Sequence, residues 1–400
     1  MTRITRDEIY AARGIGIMLV VFGHLGVTSE SAFAVNVYLF HMPFFFFLGG
    51  MTLRPDKGLR SLLIHDGQAL VLYTVFRAGL LASVSLALIA LIGVTLRTTS
   101  PVDWRTWLVY PFTQQSNHVA LFVVGWFMTA LFATRVTTYL IIRLLGPRAA
   151  FFAALALGWA GMTLGPKLFA AHQAVSSLAL SQIAVGTFFA LAGYLSQRRA
   201  WPGGRHGLLP IALGLYLALI VLIPLFALPP TLSMAFASYD GGFFGHSIVA
   251  FLGIGLVIAL ARILVKMPLL QRIGMESRAV MTWHLTIAVL VTATFASLGR
   301  LPMSDVSTFV VIEPNTYWPL YLALGTAIPV SLAFLGDRLG GPLASRIARG
   351  LSNASRQSDD GRVASAKRSA SLRSALASFA SRAVKHPAEG LIERKVRKSR

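Results

Sequence analysis

Hydrophobic positions along the chain fall into long runs with few polar interruptions, and polar residues collect between them. A window of about 20 apolar residues is long enough to cross a bilayer as a helix. Ten such windows are found, near 11–28, 33–53, 68–96, 118–141, 149–165, 178–196, 207–228, 243–264, 279–299 and 317–336. The pattern predicts an all-α fold, a polytopic integral membrane protein of about ten transmembrane helices. The fifth window is short, and its "GWAGMTLGP" is rich enough in glycine to bend or re-enter. The first run lacks a small-residue cleavage site and is followed by further spans, so it is expected as a retained helix and not a signal peptide. No internal repeat of the transporter kind is visible.

Composition agrees with this pattern. Apolar residues make up 55% of the chain and charged residues 13%, whereas a soluble domain carries roughly a quarter charged. Most of the surface is therefore expected to face lipid. The absence of cysteine excludes disulfides, thiolate nucleophiles and thiolate metal sites.

The net charge of +21 changes the picture only when read by position. Alternate loops carry Arg3 and Arg6; Arg54, Lys57 and Arg60; Arg143 and Arg148; Arg198, Arg199 and Arg205; then Arg262, Lys266, Arg272 and Arg278. The opposite loops hold only Arg97, Arg105, Lys167 and Arg300. By the positive-inside rule both termini are cytoplasmic, which needs an even number of spans. Fifteen of the 36 Lys and Arg residues lie from Arg338 onward, so residues 341–400 read as a basic cytoplasmic tail following a membrane domain of residues 1–340. Within the tail, 350–370 has a disorder-prone composition. "SLRSALASFASRAVKH" then places apolar residues at helical spacing, predicting an amphipathic helix over about 371–386 on the anionic leaflet. For a tail attached to a membrane domain, lipid is the expected partner and nucleic acid is not.

Ionisable groups at bilayer depth are costly and mark candidate sites. Arg13 and His24 on the first span are eleven residues apart. At about 100° and 1.5 Å per residue they share one helix face, about 16 Å apart in depth. For Arg13 the alternative is a snorkelling side chain, and for His24 a hydrogen-bonded core histidine. His41, in "FHMPFFFFLGG", lies on the returning second span. Counted from the outer ends, His24 and His41 are about 6 and 12 Å deep, so both imidazoles fit one site. Pro43 is expected to kink that helix, and Phe44 to Phe47 form an aromatic wall with a packing role. Arg77 falls about 14 Å from the inner end of the third span, where it needs an anionic or carbonyl partner. Arg135 is similar but closer to the inner face. His284 falls near the inner end of the ninth span. Trp126 and Phe127 carry no charge, and sequence alone gives them a packing role.

Together these segments resemble the membrane-bound acyltransferase family 3, which includes fucose 4-O-acetylase-like proteins and bacterial O-antigen acetylases. The resemblance covers about the first 340 residues. It rests on "AARGIGIMLVVFGHLG", with its basic residue, ten others and His, and on "FHMPFFFFLGG", "GWFMTALF", "LAGYLSQRR" and "RIGMESRAVMTWHLT", in that order. Two positions depart from the family pattern. Tyr10 stands where an acidic residue is common, leaving Asp7 or Glu8 to substitute, and Gly49 precedes Gly50 where Ser-Gly is frequent.

The resemblance implies transfer of an acyl group, usually acetyl, from a cytoplasmic acyl-CoA to a hydroxyl of an envelope or secreted glycan, by an enzyme of the bacterial cytoplasmic (inner) membrane. A neutral imidazole suits that chemistry, because it takes the hydroxyl proton as the oxygen attacks the thioester. His24 is read as the general base, an acyl-imidazole on His24 being the alternative. Arg13 would hold coenzyme A phosphates, and Arg77 would position the thioester. His41 would bond the acceptor sugar or His24, His284 is a candidate on the donor side, and Trp126 joins the substrate-binding candidates. Acetyl-CoA enters as a substrate, no bound cofactor is expected, and no metal is expected because carboxylates do not accompany the histidines. The competing class is a transporter or flippase for a lipid-linked glycan. A third is a scaffold that works through its tail.

Overall fold

The computed structural model describes residues 4–26, 35–109, 119–172, 175–197, 205–226, 234–239, 241–336 and 338. Helix α1 (Arg6–Gly23) starts at a capping box in which Thr5 Oγ1 accepts the Glu8 N–H and the Glu8 carboxylate accepts the Thr5 N–H. His24 closes it as the C-cap, and the chain turns away at Gly26, whose φ of 64° suits a residue without a side chain. A 3₁₀ turn, Val37–Leu39, leads into α2 (His41–Met51). Helix α3 (Leu59–Asp66) continues through a π turn, Gly67–Leu72, into α4 (Tyr73–Ile92). After a short α5 (Trp104–Leu108) comes α6 (Gly125–His172), two helices meeting at a kink where Gly146 (φ 75°) precedes Pro147. The order closes with α7 (Val175–Ser196), α8 (Arg205–Leu225), α9 (Gly242–Ile263), α10 (Pro268–Met275), α11 (Ser277–Ser297) and α12 (Pro314–Gly336). Among the described residues there is no strand, only an isolated antiparallel bridge between Thr98 and Val119.

The chain is thus an all-helical, multi-pass membrane protein, with seven helices among the described residues long and apolar enough to cross a bilayer. The difference from ten windows has identifiable sources. The fourth and fifth windows fall within one helical run, Ala120–Ala171. The second falls on a shorter apolar helix, Val37–Met51. The first falls on α1, whose 18 residues include Arg6, Asp7, Glu8 and Arg13. The third span begins earlier than its window: Leu59–Ile92 is one apolar run, which brings Asp66 inside it. Pro43 does not kink its helix. It stands in the first turn of α2, where the helix has no N–H to lose.

By its contacts the chain falls into two units, residues 1–333 and 334–400, and the residues that build the site lie in the first. The tail, including the amphipathic segment 371–386, lies outside the described residues.

Two helix crossings set the site's geometry, and both depend on absent side chains. Helix α1 packs against α2, α9, α10 and α11. Where it meets α10, a Cβ on Gly274 would stand 1.8 Å from the Tyr10 carbonyl oxygen, and one on Gly14 would stand 2.3 Å from the Leu270 oxygen. Where α2 meets α7, a Cβ on Gly50 would be 1.8 Å from the Ala190 oxygen, and one on Gly193 would be 1.9 Å from the Phe47 oxygen. Backbones approach this closely only through small residues, the usual device for helix contact in a bilayer. The "GG" that ends the Phe run is therefore a packing surface, and a serine at Gly50 would not fit.

Candidate functional site

A cavity of about 540 Å³ opens between α1, α2, α6 and the start of α11. That size is in the range of small-molecule sites, roughly 300–1,000 Å³. Its walls are mostly apolar, with Ile17, Phe45, Trp126, Phe127 and Met128 among them. Its charged residues are Arg13, Arg135, Arg278 and Asp66, and its imidazoles are His24 and His41. The polar groups gather at two ends, as the eleven-residue spacing on α1 requires: arginines near Arg13, histidines near His24, about 16 Å apart along the helix.

At the histidine end the rings are held by backbone carbonyls. His24 Nδ1 is 2.9 Å from the Val20 oxygen, four residues back in the last turn of α1. His41 Nδ1 is 2.9 Å from the Val37 oxygen in the preceding 3₁₀ turn. Tyr38 joins the two helix ends. Its hydroxyl donates to the Gly23 carbonyl at 2.8 Å, its ring meets His41 edge-on at 4.9 Å, and it lies 6.5 Å from His24 on the other side. Both histidines therefore stand at helix ends, His24 closing α1 and His41 opening α2, and not inside continuous spans. Phe309 stacks on His24 at 6.2 Å. A second ring reaches the same nitrogen: His284 Nε2 is 3.2 Å from His24 Nδ1.

At the arginine end Arg135 is tied down. Its Nε makes a 2.6 Å ion pair with Asp66, and its Nη1 donates to the Gly49 carbonyl and to Thr52 Oγ1. Arg278 donates to the Ala69 carbonyl at 3.1 Å and lies over the Tyr73 ring. Arg13 lines the same cavity, and among the described residues it makes no hydrogen bond or ion pair. Neither Asp7 nor Glu8 compensates for Tyr10. Glu8 uses one oxygen on Thr5 N–H and the other on Arg262 Nε, at 3.0 Å. Asp66 is the one carboxylate on the lining, against three guanidinium groups.

The sequence-derived candidates thus sort by position. Arg13, His24, His41 and Trp126 line one cavity. Arg77 does not: its guanidinium lies over the Tyr73 ring, 5.1 Å from the centroid, and Arg278 stands on the cavity in its place. His284, expected near the inner end of its span, stands at the histidine end of the site beside His24. Helix α10 wedges against α1 at Gly14, so α11 starts level with Arg13, and His284, seven residues along it, reaches His24. It is 2% exposed and forms no part of the cavity wall. Sequence reading missed Arg278, which counts as a loop charge, and Asp66, which lies just before the third window. It also missed Tyr38; Arg135, noted there only as similar to Arg77, lines the cavity. A carboxylate two residues from a 29-residue apolar window was the available signal for Asp66. Among the described residues no three His, Asp or Glu side chains are grouped to hold a metal ion.

Comparison with known proteins adds one match. The family model described as an acyltransferase domain matches residues 6–334, most of the chain and all of the cavity. No curated protein and no solved structure matches.

Proposed function

The chain belongs to the acyltransferase family so matched, and from that premise we propose that it is a membrane O-acyltransferase moving acetyl, or another short acyl group, from cytoplasmic acyl-CoA to a hydroxyl of an envelope or secreted glycan. The observation that carries this reading is that one cavity holds Arg13, without a partner among the described residues, at one end and His24 and His41 at the other. A guanidinium without a protein partner favours a phosphate, which it can bind by charge-assisted hydrogen bonds. An imidazole with one nitrogen held by a carbonyl favours proton transfer at the other. Ten crossings in the bacterial cytoplasmic membrane, with both termini inside, would put the arginine end toward the cytoplasm and the histidine end toward the outer side.

In the proposed reaction Arg13, with Arg278 and Arg135, binds the phosphates of coenzyme A and leaves the thioester extended toward His24. The acceptor hydroxyl oxygen attacks the thioester carbonyl carbon as His24 Nε2 takes its proton. The new C–O bond forms, the C–S bond breaks, and the proton passes from His24 to the departing thiolate, leaving an O-acyl ester and free coenzyme A. His41, on the same wall, hydrogen-bonds the acceptor, and Trp126 forms an apolar side of the acyl path. Arg77, which rests on the Tyr73 ring and is not among the residues lining the cavity, is assigned no part.

The test is mass spectrometry of host surface glycans with the wild-type protein, without it, and with His24→Ala inserted at a normal level. The reading expects an acyl mass that is present only with the wild type. Arrest of glycan export in the variant, with no acyl mass in any strain, would instead favour a flippase.

A further inference from the structure

We infer that His284 is a positioning residue that fixes the tautomer of His24, leaving Nε2 as the basic nitrogen at the cavity. The inference rests on the reading of His24 as general base and adds how the base is set.

A carbonyl oxygen accepts and never donates, so a ring nitrogen held against one carries a hydrogen. His284 Nδ1 lies 3.0 Å from the Val280 oxygen and 2.9 Å from the Met281 oxygen. That nitrogen is N–H. His24 Nδ1 lies 2.9 Å from the Val20 oxygen, so it is N–H as well. The remaining contact, His284 Nε2 to His24 Nδ1 at 3.2 Å, then runs in one direction. His24 donates, and His284 Nε2 offers its lone pair. The other tautomer of His24 would set a lone pair against both the Val20 oxygen and His284 Nε2. On the His24 ring, Nε2 is then the nitrogen without a proton. When it takes the hydroxyl proton, the Nδ1–H of the resulting cation already faces two acceptors. His284 does this from outside the cavity wall, so it touches the base and not the substrate.

Two measurements on the full-length protein test this. In detergent, the ¹⁵N spectrum of histidine-labelled wild-type protein, with His24 assigned by its loss in His24→Ala, should show the His24 proton on Nδ1. A proton on Nε2 overturns the inference without any variant of His284 needing to fold. In membrane vesicles, transfer of [¹⁴C]acetyl from acetyl-CoA to glycan gives the kinetic test. His284→Leu removes the acceptor and should lower kcat about tenfold with KM for acetyl-CoA unchanged. The loss is smaller than the 10²–10⁴ of removing a base because Val20 still holds the proton. His284→Gln, whose amide oxygen can replace Nε2, should stay within about threefold of wild type. Equal losses in both variants, or a loss confined to KM, contradicts positioning. If His24→Ala transfers acetyl at the wild-type rate, the base reading itself fails. If His24→Ala is inactive and His284→Leu keeps wild-type kcat, only the present inference fails.

Discussion

The two ends of the cavity are finished to different degrees. At the histidine end every Nδ1 has a backbone carbonyl within 3.0 Å, Tyr38 clamps the ends of α1 and α2 together, and His284 backs His24. At the arginine end Arg135 is satisfied by Asp66 and Gly49, while Arg13 faces open space with no partner among the described residues. A group whose surroundings fix its orientation before substrate arrives suits chemistry, because little reorganisation remains for the reaction step. A cation that the protein leaves incomplete suits binding, because the ligand supplies the missing charge. One face of α1 carries both, so the division of labour follows its length.

Several substitutions bear on that division. Arg13→Ala combined with Arg278→Ala should have the largest effect at the binding end. Charged hydrogen bonds contribute about 1.5–3 kcal/mol each, so KM for acetyl-CoA should rise on the order of 10³-fold while kcat at saturation stays within a few fold. Initial rates against acetyl-CoA check this, and a loss in kcat instead would erase the distinction between the ends. Arg13→Ala alone should raise KM about 10- to 100-fold, and Arg13→Lys less, since a point charge keeps the attraction without the fork. Gly274→Ala forces a methyl against the Tyr10 carbonyl. It should destabilise the protein by about 1–3 kcal/mol and weaken both ends together by pushing α10 and α11 off α1. Gly207→Ala, with nothing within 4 Å, should leave the thermal midpoint in place. On acetyl transfer, the smallest of these effects belongs to Arg77→Ala. Its guanidinium rests on Tyr73 and does not line the cavity, so acetyl transfer should change by less than about threefold.

Local periodicity made part of this site legible. Eleven residues bring Arg13 and His24 onto one helix face wherever the chain is helical throughout, and α1 is continuous from Arg6 to Gly23. The clustering of His41 with His24 followed from the antiparallel return of the next span. Contacts between distant segments were not legible, since spacing says nothing about which helix lies beside which. Arg278 reads as a loop charge until the Gly14 and Gly274 contacts seat α10 against α1 and carry the start of α11 to the cavity. His284 meets His24 for the same reason. Asp66 was lost to a window edge: the π turn at Gly67–Leu72 joins it to an apolar helix that hydropathy alone begins two residues later. Helix amphipathicity gave little help, because the apolar stripe facing protein and the apolar surface facing lipid look alike. The window in α8 is 17% buried and that in α11 is 67% buried, yet both are strongly apolar.

The central claim is that His24 performs the chemistry while the arginine end binds the donor. It is tested most directly by measuring, on the same full-length His24→Ala preparation, equilibrium binding of acetyl-CoA and the single-turnover rate of acetyl transfer to glycan. Binding should match the wild type and the rate should fall by about 10²–10⁴-fold, the usual contribution of a general base. Transfer at the wild-type rate, or a loss explained entirely by weaker acetyl-CoA binding, would contradict it.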